Sequence, residues 1–293
     1  MCSNISQVLF TPDISSSGLL RVYNCLKFKP VGKIAVKLHS GEPGGNYFLN
    51  PAIIAPLVQK VNGTIIDANT PYVGHRTYTE EHYESMKQHG FFNIASCDII
   101  DEDGSIEIFV PDGNRIQSNY IGAHLLNYQS IIILNHFKGH KTAGFGGVIK
   151  DMSIGLASKE GKCWIHTAGQ SKTDVNIPTP QDCFLESMVD AAKSVQSLSI
   201  PTIFISFLNN LSADGDGSAH PRKPDLTDQG ILASYDPVAL DQACLDLIRN
   251  TARQSNNLNC ALLERIDALH GEHVITAAVR QGLGNNAYYI EKV

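Results

Sequence analysis

The chain has 293 residues, a length that suits one large domain or two modest lobes. Hydrophobic residues make up 43% of the chain and charged residues 18%, a globular balance that excludes a disordered or fibrous protein. The formal net charge is −6 at pH 7 and no basic run occurs. Nucleic-acid binding therefore has no electrostatic support, and we expect no nucleic-acid partner.

The apolar runs, such as Ile131 to Leu134, are far shorter than the ~20 residues needed to cross a bilayer, so no membrane partner is expected. The N-terminal run MCSNISQVLF has no basic region followed by an apolar core, which argues for a cytoplasmic location. The seven cysteines are scattered and form no CxxC pair. Because that spacing is the usual thiolate signature, an iron–sulfur cluster is not expected.

Short apolar runs alternate with amphipathic stretches along the chain. In chain order, the pattern predicts a strand at Ile34 to Leu38, a helix capped by Asn50, a strand at Thr64 to Ile66, a helix capped by Thr79, a strand at Gln129 to Leu134, a helix at Asp182 to Leu198, a strand at Pro201 to Leu208 and a helix from Asp236 through Ile248. Asp241, inside the last helix, is expected on its polar face.

This alternation predicts an α/β fold, a mostly parallel or mixed sheet with helices on both faces. The sheet would form one domain over residues 1–293, with residues 1–170 and 181–293 as its two lobes if the chain is divided. In such sheets, ligands bind at the carboxyl ends of the strands. The residues that follow each predicted strand are therefore the candidates for a functional site.

The strongest cluster of polar and glycine residues follows the strand that ends at Leu134. Its members are two histidines four residues apart, a glycine pair, a lysine and a more distant histidine: His136, His140, Gly146, Gly147, Lys150 and His166. Taken singly, a loop histidine is usually a surface residue and a glycine pair is usually a turn. Together they predict a site in which His136, His140 and Lys150 are catalytic, and the glycines approach a ligand closely at positive φ.

Two further clusters follow the strands at Ile34 and Thr64. The first contains Glu42 and Asn46, and the second contains Asp67, Asn69 and Arg76. Arg76 has the fork geometry to bind a substrate carboxylate or phosphate, whereas turn chemistry explains the other residues equally well. If the strands are neighbours, all three clusters converge, and these five residues join Gly146 and Gly147 as candidate substrate-binding residues.

The run Asp214-Gly215-Asp216-Gly217, followed by His220, contains two aspartates separated by a glycine. This spacing suggests calcium, but the glutamate that an EF-hand loop places at its twelfth position is missing. The sequence therefore favours a solvated loop here.

The chain resembles the Domain of Unknown Function 362 family over nearly its whole length. The motifs that carry the resemblance are SGEPG at Ser40 to Gly44, DANTPYVGHRT at Asp67 to Thr77, HFKGHKTAGFGGVIKDMSIGLAS at His136 to Ser158 and GILASYDPVALDQACLDLI at Gly230 to Ile248. Many members carry an inserted ferredoxin module with cluster ligands. This chain departs from that pattern, because residues 171–180 form only a short polar loop at the corresponding place.

A more distant local resemblance links His140, Lys150 and His166 to the nickel-pincer lactate racemase family. The lysine follows the first histidine by ten residues and precedes the second by sixteen, around a GFGG turn. In that family, the resemblance implies a lysine that holds the pincer cofactor covalently and histidines that ligate nickel or perform acid–base work. His140 and His166 are thus candidate metal ligands for nickel, zinc or iron.

The sequence therefore predicts an α/β enzyme that uses a His/Lys site on a small organic anion. Its chemistry would be metal- or cofactor-assisted movement of a proton or hydride, as in an isomerase, a racemase or an oxidoreductase. The alternative is a non-catalytic ligand-binding or electron-transfer partner that has lost its iron–sulfur insert. The sequence leaves the substrate, the cofactor and the oligomeric state open.

Overall fold

The computed structural model describes residues 5–293. Its strands, numbered in chain order, are β1 (Ser6–Thr11), β2 (Ile34–Lys37), β3 (Thr64–Asp67), β4 (Cys97–Ile99), β5 (Ser105–Phe109), β6 (Ser118–Gly122), β7 (Ser130–His136), β8 (Lys138–His140), β9 (Gly144–Gly146), β10 (Thr202–Leu208), β11 (Gly230–Ser234) and β12 (Tyr288–Lys292). Its α-helices are α1 (Ser16–Leu26), α2 (Pro51–Lys60), α3 (Thr79–Gln88), α4 (Val148–Ser153), α5 (Lys159–His166), α6 (Gln181–Ser197), α7 (Pro237–Gln254), α8 (Ala261–Ala268) and α9 (His273–Arg280).

Within residues 5–293, one eight-stranded sheet organises the molecule, in the order β12-β1-β11-β10-β7-β2-β3-β4. Neighbouring strands are parallel except where β11 pairs with β1 and β10. A sheet with one reversed strand is mixed and mostly parallel, so the predicted fold class is confirmed. Two hairpins, β5-β6 and β8-β9, lie outside this sheet.

Two hydrophobic cores cover the two faces of the sheet. Along β7, Ile131 and Ile133 belong to the core that includes α4 to α9, whereas Ile132 and Leu134 belong to the core that includes α1 to α3. Successive strand residues point to opposite faces, so a strand buried on both sides reads as a continuous apolar run. None of the helices within residues 5–293 combines the length and apolar character that a membrane crossing requires.

Several element ends differ from the sequence prediction. Thr79 does not cap α3, because the N-cap position is Tyr78, and the Thr79 hydroxyl accepts a hydrogen bond from Asn69 Nδ2 at 2.9 Å instead. The last predicted helix continues beyond Ile248 to Gln254, and the buried Ala252 provides a further core contact. Asn50 caps α2 as predicted, accepting from the backbone N–H of Ala52.

The strands at Ile34, Thr64 and Ser130 are immediate neighbours, because β2 pairs with β3 on one side and with β7 on the other. All three run in the same direction, so their carboxyl ends meet at one edge of the sheet. The expected convergence of the loops that follow them is therefore confirmed at the level of topology. This edge positions the polar residues described below.

Asp241 corrects one prediction about α7. It is not on a polar face but fully buried, and its carboxylate accepts hydrogen bonds from the backbone N–H groups of Val148 (2.8 Å) and Ile149 (3.0 Å). These donors are the unpaired amides of the first turn of α4, and an anion is stabilised there. Asp241 therefore fixes the start of the helix that carries Lys150.

We predict that Gly147→Ala lowers the free energy of unfolding by ~1–3 kcal/mol, because overpacking here displaces the Asp241 carboxylate from α4. An added Cβ would lie 2.3 Å from Asp241 Oδ1, closer than side chains tolerate. Gly146→Ala is the matched control, since its Cβ would meet only the Lys138 side chain at 3.6 Å. Chemical denaturation of both variants measures the difference, and equal stabilities would contradict this account of the α4 junction.

Candidate functional site

A cavity of about 360 Å³ lies at the carboxyl edge of β2, β3 and β7. Its walls come from the loops after these strands, from α4 and α5, and from the segment 170–180, which contributes Val175 and Asn176. Cavities of this size hold small ligands in other proteins. The place where the family resemblance implies an insert is thus occupied here by a short segment that closes one side of the cavity.

Basic side chains dominate the wall of the cavity. Six of them line it: Lys37, Arg76, Lys138, Lys141, Lys150 and Lys162. Among residues 5–293, the acids that line it are Asp67 and Asp214, and the wall also contains three imidazoles: His39, His140 and His166. A concave surface with this excess of cations concentrates negative ligands.

Asp67 holds two of the buried cations at the end of β3. Lys37 Nζ donates to Asp67 Oδ1 at 3.2 Å, and Arg76 Nη2 donates to Asp67 Oδ2 at 3.2 Å. The backbone N–H of Ser40 donates to the same carboxylate at 2.9 Å. Burial would raise the pKa of Asp67, but Lys37 and Arg76 outweigh it and hold that pKa well below its usual range. Asp67 is therefore a fixed negative charge that anchors two cations.

Asp216, in the loop after β10, holds a third buried cation. The interpretation of residues 214–217 as a solvated loop is wrong for this side chain, which is 1% exposed and forms an ion pair with Lys138. His39 Nδ1 and His136 Nδ1 face the two carboxylate oxygens at 3.3 Å and 3.5 Å. An isolated buried carboxylate would be costly, so the ammonium group of Lys138 explains why Asp216 is tolerated there.

Lys150 projects from the first turn of α4 and is 7% exposed. The nearest carboxylate, that of Asp151, lies 3.6 Å from its Nζ and is itself held by Asn135 Nδ2 at 2.9 Å. Burial lowers the pKa of Lys150 to about 8, against the attraction of Asp151. Near neutral pH a fraction of this amine is thus uncharged and carries a reactive lone pair.

His140 is held in one tautomer by the backbone that follows it. Its Nδ1 accepts hydrogen bonds from the N–H groups of Ala143 (3.1 Å) and Thr142 (3.4 Å), so the proton of the neutral ring belongs on Nε2. Burial and the positive charge of Lys150 lower the pKa of His140 well below its ordinary value. In this state His140 offers an N–H donor through Nε2.

His166 is held in the opposite tautomer. Its Nδ1 lies 2.7 Å from the carbonyl oxygen of Lys162, which can only accept, so Nδ1 carries the proton and Nε2 carries the lone pair. The ring stacks on Phe184 at a centroid distance of 4.9 Å. Burial lowers the pKa of His166 to about 4, which leaves the ring neutral at physiological pH. A neutral imidazole fixed through one nitrogen is the usual form of a metal ligand or proton acceptor.

The structure brings some of the candidate residues together and separates others. His140, Lys150, His166, Asp67 and Arg76 all line the cavity. Those that do not line it are His136, Glu42, Asn46, Asn69, Gly146 and Gly147.

Each of those residues has another place in the molecule. His136 is buried behind the wall, with Nε2 donating to the carbonyl of Asn209 at 2.6 Å. Glu42 pairs with Arg76 at 3.1 Å, Asn69 bonds Thr79 and His82, and Asn46 is exposed. The glycines do not adopt the expected positive φ, since the glycine of this turn with positive φ is Gly144. Gly147 caps α4, whose first amides are taken by Asp241.

Sequence reasoning missed several residues of the site, notably Lys37, Lys138 and Lys162. Lys37 ends the apolar strand IAVK and Lys138 follows a continuous buried run. A lysine within a strand that is buried on both faces needs a carboxylate partner, which was a usable signal. Lys162 in the helix KEGKCWIH gave no such signal, because a lysine in a short polar helix usually faces water.

Within residues 5–293 no group of three or more His, Cys, Asp or Glu side chains is arranged to hold a metal ion. His140 also points its proton, rather than a lone pair, through Nε2. Side chains alone therefore do not form a complete metal site in this part of the chain. A metal would need further donor atoms, such as those of water, the backbone or a bound organic group.

The model of the family described as domain of unknown function (DUF362) matches residues 34–246. The chain belongs to this family. The match covers most of the chain, and the family expected from the motifs is confirmed. None of the curated proteins matches the sequence.

Two solved structures are similar to this chain. The lactate racemase apoprotein from Thermoanaerobacterium thermosaccharolyticum has a TM-score of 0.50 and 14% identity, over 84% of this chain and 57% of that chain. A protein from Thermotoga maritima has a TM-score of 0.47 and 12% identity, over 81% of this chain and 58% of that chain. This chain thus spans less than two thirds of either protein. At such identity the first similarity shows a shared fold.

We predict that anion binding at pH 8 is accompanied by proton uptake. A bound anion favours the ammonium form of Lys150, whose pKa of about 8 then rises, so the amines that were neutral before binding take up protons. Calorimetry with sulfate, in two buffers of different ionisation enthalpy, should detect that Lys150 takes up as much as about half a proton from the buffer. The uptake should decrease in Lys150→Met. Identical binding enthalpies in both buffers would contradict the prediction.

Proposed function

We propose that this protein is an enzyme that binds a small organic anion and moves a proton or a hydride next to its anionic group. The observation that carries the proposal is the meeting of His140, Lys150 and His166 in one cationic cavity. These three residues come from the β8-β9 hairpin, α4 and α5, so no single local motif accounts for their convergence.

The cavity favours an anion through buried charge. Arg76 and Lys37 share Asp67, and Lys138 is neutralised by Asp216, so these cations are held in place before any ligand arrives. Preorganised charges in a water-poor cavity stabilise negative charge without reorganisation. A carboxylate is the simplest anion that meets this requirement, and the carbon next to it is the natural place for the chemistry.

The protonation states of His140, Lys150 and His166 support a different role for each residue. His140 fits a donor that holds a substrate oxygen through Nε2–H, since its Nδ1 is occupied by backbone amides. Lys150 fits a proton acceptor or nucleophile, because its pKa of about 8 lies near the operating pH. His166 presents an unprotonated Nε2. His136, behind the wall, would position Asp216 rather than touch substrate.

The residues also fit a pincer-type group of the kind that the local resemblance to lactate racemases implies. Lys150 would hold it covalently and His166 Nε2 would supply one protein ligand. This assignment agrees with the donor set, because a group that brings its own donor atoms needs no cluster of protein ligands. Such a group supplies metal-assisted proton or hydride chemistry when bound. Of the two candidate metal ligands, His166 is thus favoured over His140.

The similarity in fold to a lactate racemase apoprotein favours chemistry at the carbon next to a carboxylate. A protein of similar fold is named a lactate racemase, and lactate is a small hydroxy acid with an α-hydrogen. We therefore propose 2-hydroxy carboxylates as the first substrates to test. The alternative, a binding partner without catalysis, predicts anion binding with no turnover.

The decisive experiment follows single enantiomers of lactate and malate by chiral chromatography, using protein purified from its native host. We expect interconversion by the wild type and a loss of at least ~100-fold in Lys150→Met and His166→Ala, as for removal of a catalytic group. Repeating the reaction in D₂O separates the mechanisms, because proton transfer introduces deuterium at the α-carbon and internal hydride movement does not.

Lys159→Met is the matched control, since Lys159 lies on α5 outside the cavity wall and donates to the carbonyl of Thr77 at 3.0 Å. It should retain activity. Intact mass and elemental analysis of the same samples report any adduct on Lys150 and any stoichiometric metal. Anion binding without turnover, adduct or metal would contradict the enzyme proposal and favour the alternative of a binding partner without catalysis.

A further inference from the structure

Lys162 differs from the other buried basic residues of the cavity. Four of them lie within 4.0 Å of a carboxylate: Lys37 and Arg76 at Asp67, Lys138 at Asp216, and Lys150 at Asp151. Lys162 is 5% exposed, and among residues 5–293 no carboxylate oxygen comes within that distance of its Nζ. A buried amine without an acidic partner is costly, which points to a partner that arrives with the ligand.

The hydrogen bonds of Lys162 leave donors for such a partner. An ammonium group has three N–H donors, and Lys162 Nζ uses one of them on the carbonyl of Ala157 at 2.7 Å. The carboxylate of Asp101 is engaged elsewhere, accepting from the backbone N–H groups of Asn69 (2.8 Å) and Lys159 (3.1 Å). The side chain lines the cavity, so a ligand within it can reach the remaining donors.

The position of Lys162 separates it from Lys150 in the fold. Lys162 precedes His166 by one turn of α5, so both side chains occupy one face of that helix, whereas Lys150 comes from α4. Lys150 and Lys162 are thus buried amines on different helices, and of the two Lys150 has a carboxylate beside it. A ligand whose single anionic group lies beside Lys150 therefore leaves Lys162 without a counter-charge.

We propose that Lys162 binds a second anionic group of the ligand, so that the cavity accepts organic dianions in preference to monocarboxylates. This inference rests on the proposed function and specifies its substrate class. The second group is a carboxylate or a phosphate, both of which pair with an ammonium at short distance. Lys37, Arg76 and Lys138 do not fill this role, because the three carboxylates of Asp67, Glu42 and Asp216 already neutralise them.

The test compares dissociation constants for lactate, malate and phosphoglycolate at constant ionic strength, measured by calorimetry. Malate keeps the hydroxy-acid group of lactate and adds a carboxylate, whereas phosphoglycolate combines a carboxylate with a phosphate ester on its α-oxygen and has no free hydroxyl. We expect wild-type protein to bind at least one dianion ~tenfold or more tightly than lactate, the size of a charge-assisted contact. Which dianion binds more tightly identifies the second group.

Lys162→Met should remove this preference while changing lactate affinity by less than ~threefold, whereas Lys159→Met should keep the preference. An equal loss for lactate and for both dianions in Lys162→Met would overturn the inference, as would wild-type protein without a dianion preference. If the wild type binds lactate but shows no dianion preference, the inference fails and the proposed function is retained. Failure of the wild type to bind any of the three anions would instead contradict the proposed function.

Thermal unfolding without ligand provides an independent readout. Lys162→Met should be at least as stable as the wild type, because it replaces an unpaired buried amine by an apolar chain of similar length. A marked loss of stability would show that Lys162 is a structural residue and would overturn the inference. Lys162→Gln, which keeps a donor for Ala157, allows the affinity comparison if the methionine variant does not fold.

Discussion

Burying a positive charge costs several kcal/mol unless a carboxylate or a hydrogen-bond network compensates it, and the carboxyl edge of this sheet buries five basic side chains. Asp67, at the end of β3, compensates Lys37 and Arg76, and Asp216, in the loop after β10, compensates Lys138. Because neighbouring cations hold the pKa of both carboxylates well below the usual range, both are ionised, and the cations beside them cannot move away without leaving a buried charge unpaired. The shape of the cavity wall therefore depends on these two residues more than on any apolar contact.

The same constraint explains why the reactive residues are placed on short, capped elements. Lys150 sits in the first turn of α4, and the position of that turn is set by Asp241 from α7. Burial raises the pKa of Asp241 to about 7, while the two backbone N–H groups that donate to its carboxylate favour the ionised form. A residue of α7 thus determines the position of a residue in the cavity, and this long-range contact replaces the local side-chain cap that α4 lacks.

The sequence predicts four adjacent strands of the sheet, β10, β7, β2 and β3, but it misses β1, β4, β11 and β12 and predicts the charges of the site poorly. Strands such as β7 are recognisable because burial on both faces demands a continuous run of β-branched residues. Asp216 and Asp241 were misassigned to solvent, because a single acidic residue in a loop or helix has the same local pattern whether it faces water or a distant amide. His140, Lys150 and His166 were found because their spacing follows a strand end and resembles a known motif. Lys162 lacked both signals.

Two imidazoles held in opposite tautomers give the cavity a direction. The backbone amides of the turn after His140 place its proton on Nε2, and the carbonyl of Lys162 places the proton of His166 on Nδ1. The two rings are therefore not interchangeable, since the first presents a donor and the second a lone pair. A small anion bound between Lys150 and Lys162 would meet a donor on one side and an acceptor on the other. Main-chain groups set this arrangement of donor and acceptor. Side-chain substitutions elsewhere in the cavity should therefore change the affinity for the anion and leave the donor on His140 and the acceptor on His166.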